Sequence, residues 1–284
     1  MKTFNSRFLQ QPPHFRMVSV SLPHSILKKG DFIISLDLQD AYLHIPIHPD
    51  HRKYLRFTFK GHHFQWKVLR FGISMAPWLL TRVTKSISSL LHSRGVTSES
   101  YIDNDIQAQQ DPIVLEIHRE FTIKPLKQLG WLLNYEKSEL TPTRRLQFIG
   151  AVFDTEQAML FVPQDRWTKI QRLVPLALDH PRTLRQWQEL LGVLTSAQAL
   201  TYRGQLQLRP LQLFLRPHLQ TNNPQELIRL PRELRPILRW WLNVQNVCAS
   251  VSLVPFSPTH QLSVDASLEG WGAHFLQHQV AGQW

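Results

Sequence analysis

Between Phe32 and Leu38 the chain reads FIISLDL, a nearly continuous apolar run entered through Gly30. Strands that alternate apolar and polar residues have one wet face. A run without that alternation belongs to a strand covered on both sides. The expectation is a buried strand. Asp37 breaks the run near its end. An unpaired carboxylate in a dry core costs several kcal/mol. Asp37 therefore either caps or turns the strand, or faces a polar cleft at the strand's end.

The flanking sequence supplies elements to surround such a strand. The first thirty residues are polar and irregular, with Pro12, Pro13 and Pro23. Tyr54 to Phe59 and Phe64 to Val68 alternate aromatic and branched residues about Lys60-Gly61, which predicts a hairpin. Trp78 to Leu91 predicts a helix with Leu79, Val83, Ile87, Leu90 and Leu91 on one face and Pro77 in its first turn. Glu116 to Leu129 predicts a second helix, containing Pro125 and ended by Gly130. Gln147 to Val152 and Met159 to Val162 read as short strands. Thr183 and Gln186 have capping-box spacing ahead of a Leu184, Trp187, Leu190, Leu191 and Leu194 stripe, which predicts a helix to Leu200. Residues 202–236, interrupted by five prolines, read as a connecting region. Leu262 to Phe275 begins a further strand-like run. Strands and helices in separate runs make the class α+β. No repeat of 20–50 residues and no low-complexity tract occurs.

Charge and composition narrow the function classes. Lys and Arg total 32 against 21 Asp and Glu, a formal net charge of +11. Such a surface suits a polyanion, nucleic acid first; a generic basic surface is the plain alternative. The single cysteine, Cys248, excludes a disulfide framework and a multi-cysteine zinc site. It fits a reducing compartment, cytoplasm or nucleus. No uninterrupted apolar stretch is long enough to span a bilayer, and the first residues carry no apolar signal core. His48-Pro49-Asp50-His51 and His62-His63 lie at a hairpin edge and carry no expectation of zinc. Trp187, Trp240 and Trp241 have helical spacing, which reads as core before base stacking.

Two acidic motifs remain, Ser35 to Tyr42 (SLDLQDAY) and Tyr101 to Asp105 (YIDND). Read alone, YIDND is an Asx-rich turn. Read together, an Asp ending one strand and an acidic hairpin beside it are what two-metal phosphoryl transfer needs: carboxylates converging from separate elements. Magnesium prefers such oxygens.

With the intervening sequence, these motifs resemble a reverse transcriptase, specifically that of the DIRS-type tyrosine-recombinase retrotransposons. SLDLQDAYLHIPIHPDHRKYLRF resembles the first catalytic block. FGISMAP, Phe71 to Pro77, resembles the turn that opens a helix under template and nucleotide. YIDND stands where the family has YxDD. Leu129-Gly130-Trp131 through Ser138 resembles the block that carries a lysine, here Lys137. Leu146 to Gly150 resembles the primer grip, and residues 183–217 resemble the connection. Val264 to Ala273 resembles the opening strand of an RNase H domain.

The resemblance implies metal ligation by Asp37 and Asp103, with Asn104 in the place of the second YxDD carboxylate. It implies that Tyr42 stacks beneath the incoming sugar and that Lys137 assists the leaving pyrophosphate. Gly72, Ser74, Pro77 and Tyr101 would line the nucleotide and template path, and Asp265 would be one RNase H metal ligand. Each has a plainer role available: core tyrosine, solvated lysine, turn glycine, strand-end aspartate. The implied cofactor is Mg2+, or Mn2+, and the implied partners are an RNA template, a DNA primer and deoxynucleotide triphosphates, with no membrane.

Three departures qualify that picture. Asn104 brings no charge, and Asp105, one position on, points to the opposite face of a strand. Glu99 stands where a palm strand should be apolar, which predicts local damage to the fold. The fingers before the first block and the remaining RNase H acids are not in this sequence, so the expectation is a chain truncated at both ends without RNase H activity. The expected division is a fingers remnant and palm at 1–155, the palm an antiparallel sheet of three or four strands with two helices on one face, then a mostly helical thumb and connection at 156–255, and an RNase H fragment at 256–284. The expected function is an RNA-directed DNA polymerase of impaired activity; the alternative is a transposon relic that at most binds nucleic acid. A host DNA-binding module is excluded by the lack of any helix-turn-helix or finger signature.

Overall fold

The structure, a computed structural model, describes Asn5, Leu9 and residues 26–221, 223–254 and 258–283. The proline-bearing start of the chain lies outside the described residues. The chain divides into two compact units, the first ending at Val254 and the second starting at residue 255.

In the first unit, β1 (Phe32–Asp37) leads to a hairpin of β2 (Arg56–Phe59) and β3 (His62–Gln65), then helix α1 (Ala76–Ser93). A second hairpin, β4 (Thr97–Tyr101) and β5 (Asn104–Gln109), precedes helix α2 (Pro112–Gln128) and β6 (Glu139–Thr143). The sheet is antiparallel in the order β4-β5-β1-β6, so β1 is internal, as its apolar run requires. Ile34 and Leu36 pack with Leu80 of α1 and Leu115, Ile123 and Leu126 of α2. Ile33 points the other way, with Ile106 and Ala108 of β5, into a second cluster. Each of these fully buried side chains contributes about 1.5–3 kcal/mol, and both faces of β1 are covered.

Three expectations change here. The buried face of α1 is Ala76, Leu80, Thr84 and Leu91, not the stripe through Val83 and Leu90, which are 37% and 44% exposed. The helix is turned because Thr84 can be buried: its hydroxyl donates to the Leu80 carbonyl at 3.2 Å. A count of apolar residues misses that. Helix α2 begins earlier than Glu116, at Pro112, because the Asp111 carboxylate accepts from the Ile113 amide at 2.8 Å and caps it. Glu99 does not damage the fold: β4 pairs with β5 in continuous register from Thr97 to Tyr101. It is an edge strand, where a half-buried carboxylate is tolerated.

Beyond β6 follow β7 (Arg145–Phe148), β8 (Ala151–Asp154), β9 (Met159–Phe161), helix α3 (Gln164–Asp179), β10 (Arg182–Thr183), helices α4 (Leu184–Gln198) and α5 (Gly204–Thr221), β11 (Leu227–Ile228), helix α6 (Arg235–Trp240) and β12 (Val251–Ser252). A four-stranded sheet has the order β12-β9-β8-β7. Gln147 to Val152, expected as one strand, is a hairpin instead, with Ile149 and Gly150 at φ 39° and 81° in its turn. Isoleucine gives no hint of such a turn. The positive φ favours glycine at position 150, and an added Cβ would also displace the end of the Arg166 side chain, 2.5 Å away. Arg166 donates to the carbonyls of Gly150 and Ser196, tying this turn to α3 and α4.

Helix α4 carries the expected capping box between Thr183 and Gln186. Trp187 and Trp241 are core residues, 1% and 0% exposed, and the Trp187 indole donates to the Ile228 carbonyl. The expected connecting region is largely helix α5, with Pro210 and Pro217 inside it. Burial of Leu208, Leu211 and Leu215 outweighs the lost backbone bonds, which proline content alone does not reveal.

The second unit is a three-stranded antiparallel sheet of β13 (Leu262–Ala266), β14 (Gly270–Phe275) and β15 (His278–Gln283). Its side chains are almost all exposed, Val264 and Val280 included. Asp265 lies on β13 opposite Gly272. No described helix of the chain is long and apolar enough to cross a membrane.

Candidate active site

The end of β1 meets the β4–β5 turn. Asp37, the last residue of β1, is opposite Asn104 in the sheet, and the Leu38 amide donates to the Asp103 carbonyl at 2.8 Å. Asp103 occupies the two-residue turn between Tyr101 and Asn104. Ile102, the other turn residue, has φ 56°, a strained value for a β-branched side chain that holds the turn tight.

Asp37 and Asp103 therefore converge. Burial pushes the Asp37 carboxyl up from its ordinary value, and the Asp103 charge pushes it further. Lys137 and a hydrogen bond from the Asn134 side chain pull it back. Burial also raises the Tyr42 phenol, with Asp103 and Tyr101 adding to the effect. Asp37, Asp103, Tyr42, Tyr101 and Lys137 thus share one electrostatic environment. Asn104 donates from its amide nitrogen to Asp103 Oδ1 at 3.1 Å.

Tyr42 is 8% exposed, and its ring meets that of Phe71 edge-on with centroids 4.8 Å apart. Gly72 follows with φ 88°. Asn5 bridges this turn: its amide donates to the Gly72 carbonyl at 2.8 Å, and its oxygen accepts from the Ser74 amide at 3.2 Å. Pro77 lies in the first turn of α1, its carbonyl accepting from Thr81. His48 caps a helical turn at Pro49–Arg52 by accepting from the Asp50 amide.

The segment before β6 holds β1 in place. The Ser138 hydroxyl accepts from the Asp37 amide at 2.9 Å and donates to the Asn134 carbonyl at 2.7 Å, while the Asn134 amide donates to the Asp37 carbonyl. Asn134 and Ser138 had no role assigned from sequence. Their signal was present, since an Asn and a Ser four apart before a strand make a side-chain-braced turn.

Asp105 is separate from this group. It lies opposite Leu36, on the helix side of the sheet. The Ser100 hydroxyl donates to its Oδ1 at 2.7 Å and the Gln107 amide to its Oδ2 at 3.1 Å; Gln107 also donates to Thr122 of α2, and Ser88 of α1 bonds Ser100. Burial pushes its carboxyl up to about 6 despite those donors. The residue is only half-buried by area because it lines a cavity of about 30 Å3, room for one water, which Thr84, Ser100 and Thr122 also line and which reaches Asp103 and Asn104 of the turn.

The sequence model of the family described as reverse transcriptase (RNA-dependent DNA polymerase) matches residues 2–153, more than half of the chain. The chain belongs to the reverse transcriptase family. Among curated relatives, the Pol-related polyprotein of the mouse intracisternal A-particle MIA14 is 27% identical over 210 residues, covering 69% of this chain and 22% of that protein. Protein P of duck hepatitis B virus (Shanghai isolate) is 23% identical over 163 residues, covering 57% of this chain and 20% of that protein. The chain thus spans about one fifth of the length of these relatives. Among solved structures, the foamy viral protease–reverse transcriptase in complex with double-stranded DNA superposes with a TM-score of 0.71 at 18% identity, over 99% of this chain and 47% of that one. The same enzyme in complex with an RNA/DNA hybrid gives 0.69 at 19%, over 95% and 35%. The fold is that of reverse transcriptases.

In this reverse transcriptase domain the converging donors suit a hard divalent cation. Magnesium is commonly held by one or two carboxylates together with substrate phosphates. Asp37 and Asp103 could supply such carboxylates; the Asp37 carboxyl is pushed up first by burial and then by the Asp103 charge. Among the described residues there is no group of three or more His, Cys, Asp and Glu of the kind that holds a metal by itself.

Proposed function

We propose that the chain is the polymerase portion of an RNA-directed DNA polymerase from a retrotransposon of the DIRS type, working with weakened activity. The observation that carries this is the convergence of Asp37 and Asp103 at the meeting of β1 with the β4–β5 turn, in a chain of the reverse transcriptase family. The DIRS assignment rests on the block sequences, from SLDLQDAYLHIPIHPDHRKYLRF to Arg209-Pro210-Leu211-Gln212. Residues up to 155 are assigned to fingers remnant and palm, 156–255 to thumb and connection, and 256–284 to an RNase H-like fragment with Asp265 as a ligand. The single cysteine suits a reducing compartment, cytoplasm or nucleus.

The reaction is attack of a primer 3′-hydroxyl on the α-phosphate of a deoxynucleotide, directed by an RNA template. Asp37 and Asp103 would hold the Mg2+ ions, which would supply stabilisation of the negative charge that develops on oxygen. Tyr42, braced by Phe71, forms the floor under the incoming sugar and excludes a 2′-hydroxyl. Gly72 lets the backbone approach the nucleic acid, and Ser74, Pro77 and Tyr101 line the same path. Lys137 places a positive charge toward the departing pyrophosphate.

Asn104 favours a second version, a copy that binds nucleic acid without turnover. Its amide donates to Asp103 and adds no charge, and Asp105 faces the helices and does not replace it. Primer extension on an RNA template with Mg2+ and with Mn2+ separates the two. Extension by the chain above an Asp37→Ala control supports the polymerase; no extension by the chain or by Asn104→Asp supports the non-catalytic copy.

A further inference from the structure

The β2–β3 hairpin carries an exposed aromatic face that the polymerase site does not use. Phe57 pairs with Phe64 and Phe59 with His62, so all four side chains share one face of the ribbon. Phe57, Phe59 and Phe64 are 38%, 60% and 46% exposed. The Phe57 and Phe64 rings stack with centroids 5.4 Å apart, and Trp66 continues the row at 5.5 Å from Phe57. Cations flank it: Lys60 lies 5.6 Å from the Phe59 ring and Arg70 lies 5.3 Å from the Trp66 ring.

The charge of this region is one-sided. Residues 51–98 contain no Asp or Glu and nine Lys and Arg, which nearly equals the net +11 of the whole chain. Two copies of such a face would repel one another, which argues against self-association. Flat aromatic rings flanked by cations, in a stretch of chain without acids, match an unpaired nucleic-acid strand: bases stack on the rings and phosphates meet the cations. A duplex offers no free base faces.

The hairpin is built to present that face. The Trp66 amide extends the hairpin ladder by donating to Leu55, and bonds from Ile47 to Lys67 and from Leu69 to Ile45 fasten its base to the preceding segment. Its tip turns through Lys60 and Gly61, at φ 48° and 78°. The aromatic row therefore projects on a short, anchored ribbon.

We propose that the face formed by Phe57, Phe59 and Phe64, with Lys60 and Arg70, is a stacking site for single-stranded nucleic acid. On the polymerase reading, on which this part rests, the strand is the unpaired template.

The experiment compares anisotropy of a labelled oligouridylate strand and of a labelled RNA/DNA hybrid, using the full chain and two variants. Phe57→Ala/Phe59→Ala/Phe64→Ala is expected to weaken single-strand binding at least about tenfold, given the usual value of base–aromatic stacking, with hybrid binding unchanged. Lys60→Gln/Arg70→Gln leaves the rings and lowers the salt slope of single-strand affinity by about 0.7 per cation. Its circular dichroism and melting, compared with those of the parent, guard against misfolding. Parental single-strand affinity and salt slope in both variants would overturn the proposal, while retained hybrid binding would leave the polymerase reading standing. A parent that binds neither ligand overturns both. A parental dimer dissociated by the phenylalanine substitutions would also overturn it, making the face a self-association surface.

Discussion

The two faces of β5 use the same chemistry to opposite ends. At the front, Asp37 and Asp103 stand at the meeting of two elements, with Asn104 beside them and Lys137 near enough to temper the charge. At the back, Asp105 is surrounded by Ser100, Gln107 and the helices, its donors supplied by the protein. Each front carboxylate has one side-chain amide beside it, Asn134 for Asp37 and Asn104 for Asp103, whereas the back carboxylate has a donor on each oxygen and is raised toward its protonated form. One step along a strand decides which of these surroundings a carboxylate has.

The largest contrast should come from removing a carboxylate on each side. On the proposed two-metal reading, loss of Asp37 or Asp103 would remove transition-state stabilisation of several kcal/mol. Asp37→Ala and Asp103→Ala should each lower primer extension by about 1000-fold or more, which corresponds to about 4 kcal/mol. Asp105→Asn should change the extension rate only a few-fold. An equal loss in all three would mean that the two faces are one site.

Stability against pH should invert the contrast. The folded Asp105 carboxyl titrates near 6, above its unfolded value near 3.8. Below both values the group is protonated folded or unfolded and costs nothing. As pH rises from about 4 to about 6 the unfolded chain ionises first, so stability falls, and above that window the loss is constant. The loss is about 2–3 kcal/mol, allowing for the access the small cavity gives. Asp105→Asn should remove this falling limb from denaturant midpoints measured across the range. The contributions of Asp37 and Glu99, both raised by burial, should remain. An unchanged pH profile would show that Asp105 is not the buried acid it looks to be.

How much of this was legible in sequence follows from which forces leave a local mark. The central strand, the first hairpin and the α4 capping box were legible because each has a pattern within a few residues. The parity of Asp105 was legible because strand alternation is strict. The face of α1 was not, since Thr84 earns its burial through a bond to its own helix. The Ile149-Gly150 turn was not, because isoleucine at a positive φ is contrary to its usual preference and carries no turn signal. The edge position that accommodates Glu99 depends on strand order, which no local pattern encodes. In the site, the acidic residues were legible from type and spacing, whereas Asn134 and Ser138 carry only the local signal of a braced turn, and their contact with Asp37 comes from the fold.

Restoring charge to the front should have a smaller effect. Asn104→Asp adds a carboxylate beside Asp103 and removes the amide that donates to it. With Mg2+ the extension rate should rise about tenfold, equivalent to about 1.4 kcal/mol. Without divalent cations the same substitution should lower stability by about 1 kcal/mol, since three like charges then lie together. A rise in stability without cations would contradict the idea that the front face is short of positive charge.

The finest test is Ser100→Ala, which touches the back face alone. Ser100 donates to Asp105 and bonds Ser88, linking β4 to α1. Its hydrogen bond lowers the Asp105 pKa, so its loss should move the falling limb of stability to higher pH. At pH 8 the bond is to a carboxylate and its loss should cost about 2 kcal/mol; at pH 4 it is to a neutral acid and should cost about 1 kcal/mol. The difference between those two costs, more than either alone, reports on the ionised partner. Primer extension serves as the second readout. If Ser100→Ala shifts the stability curve and leaves extension unchanged, the back face supports the hairpin without taking part in the chemistry. If extension falls with the curve, strain at Ile102 couples the buried acid to Asp103 across a single turn of chain.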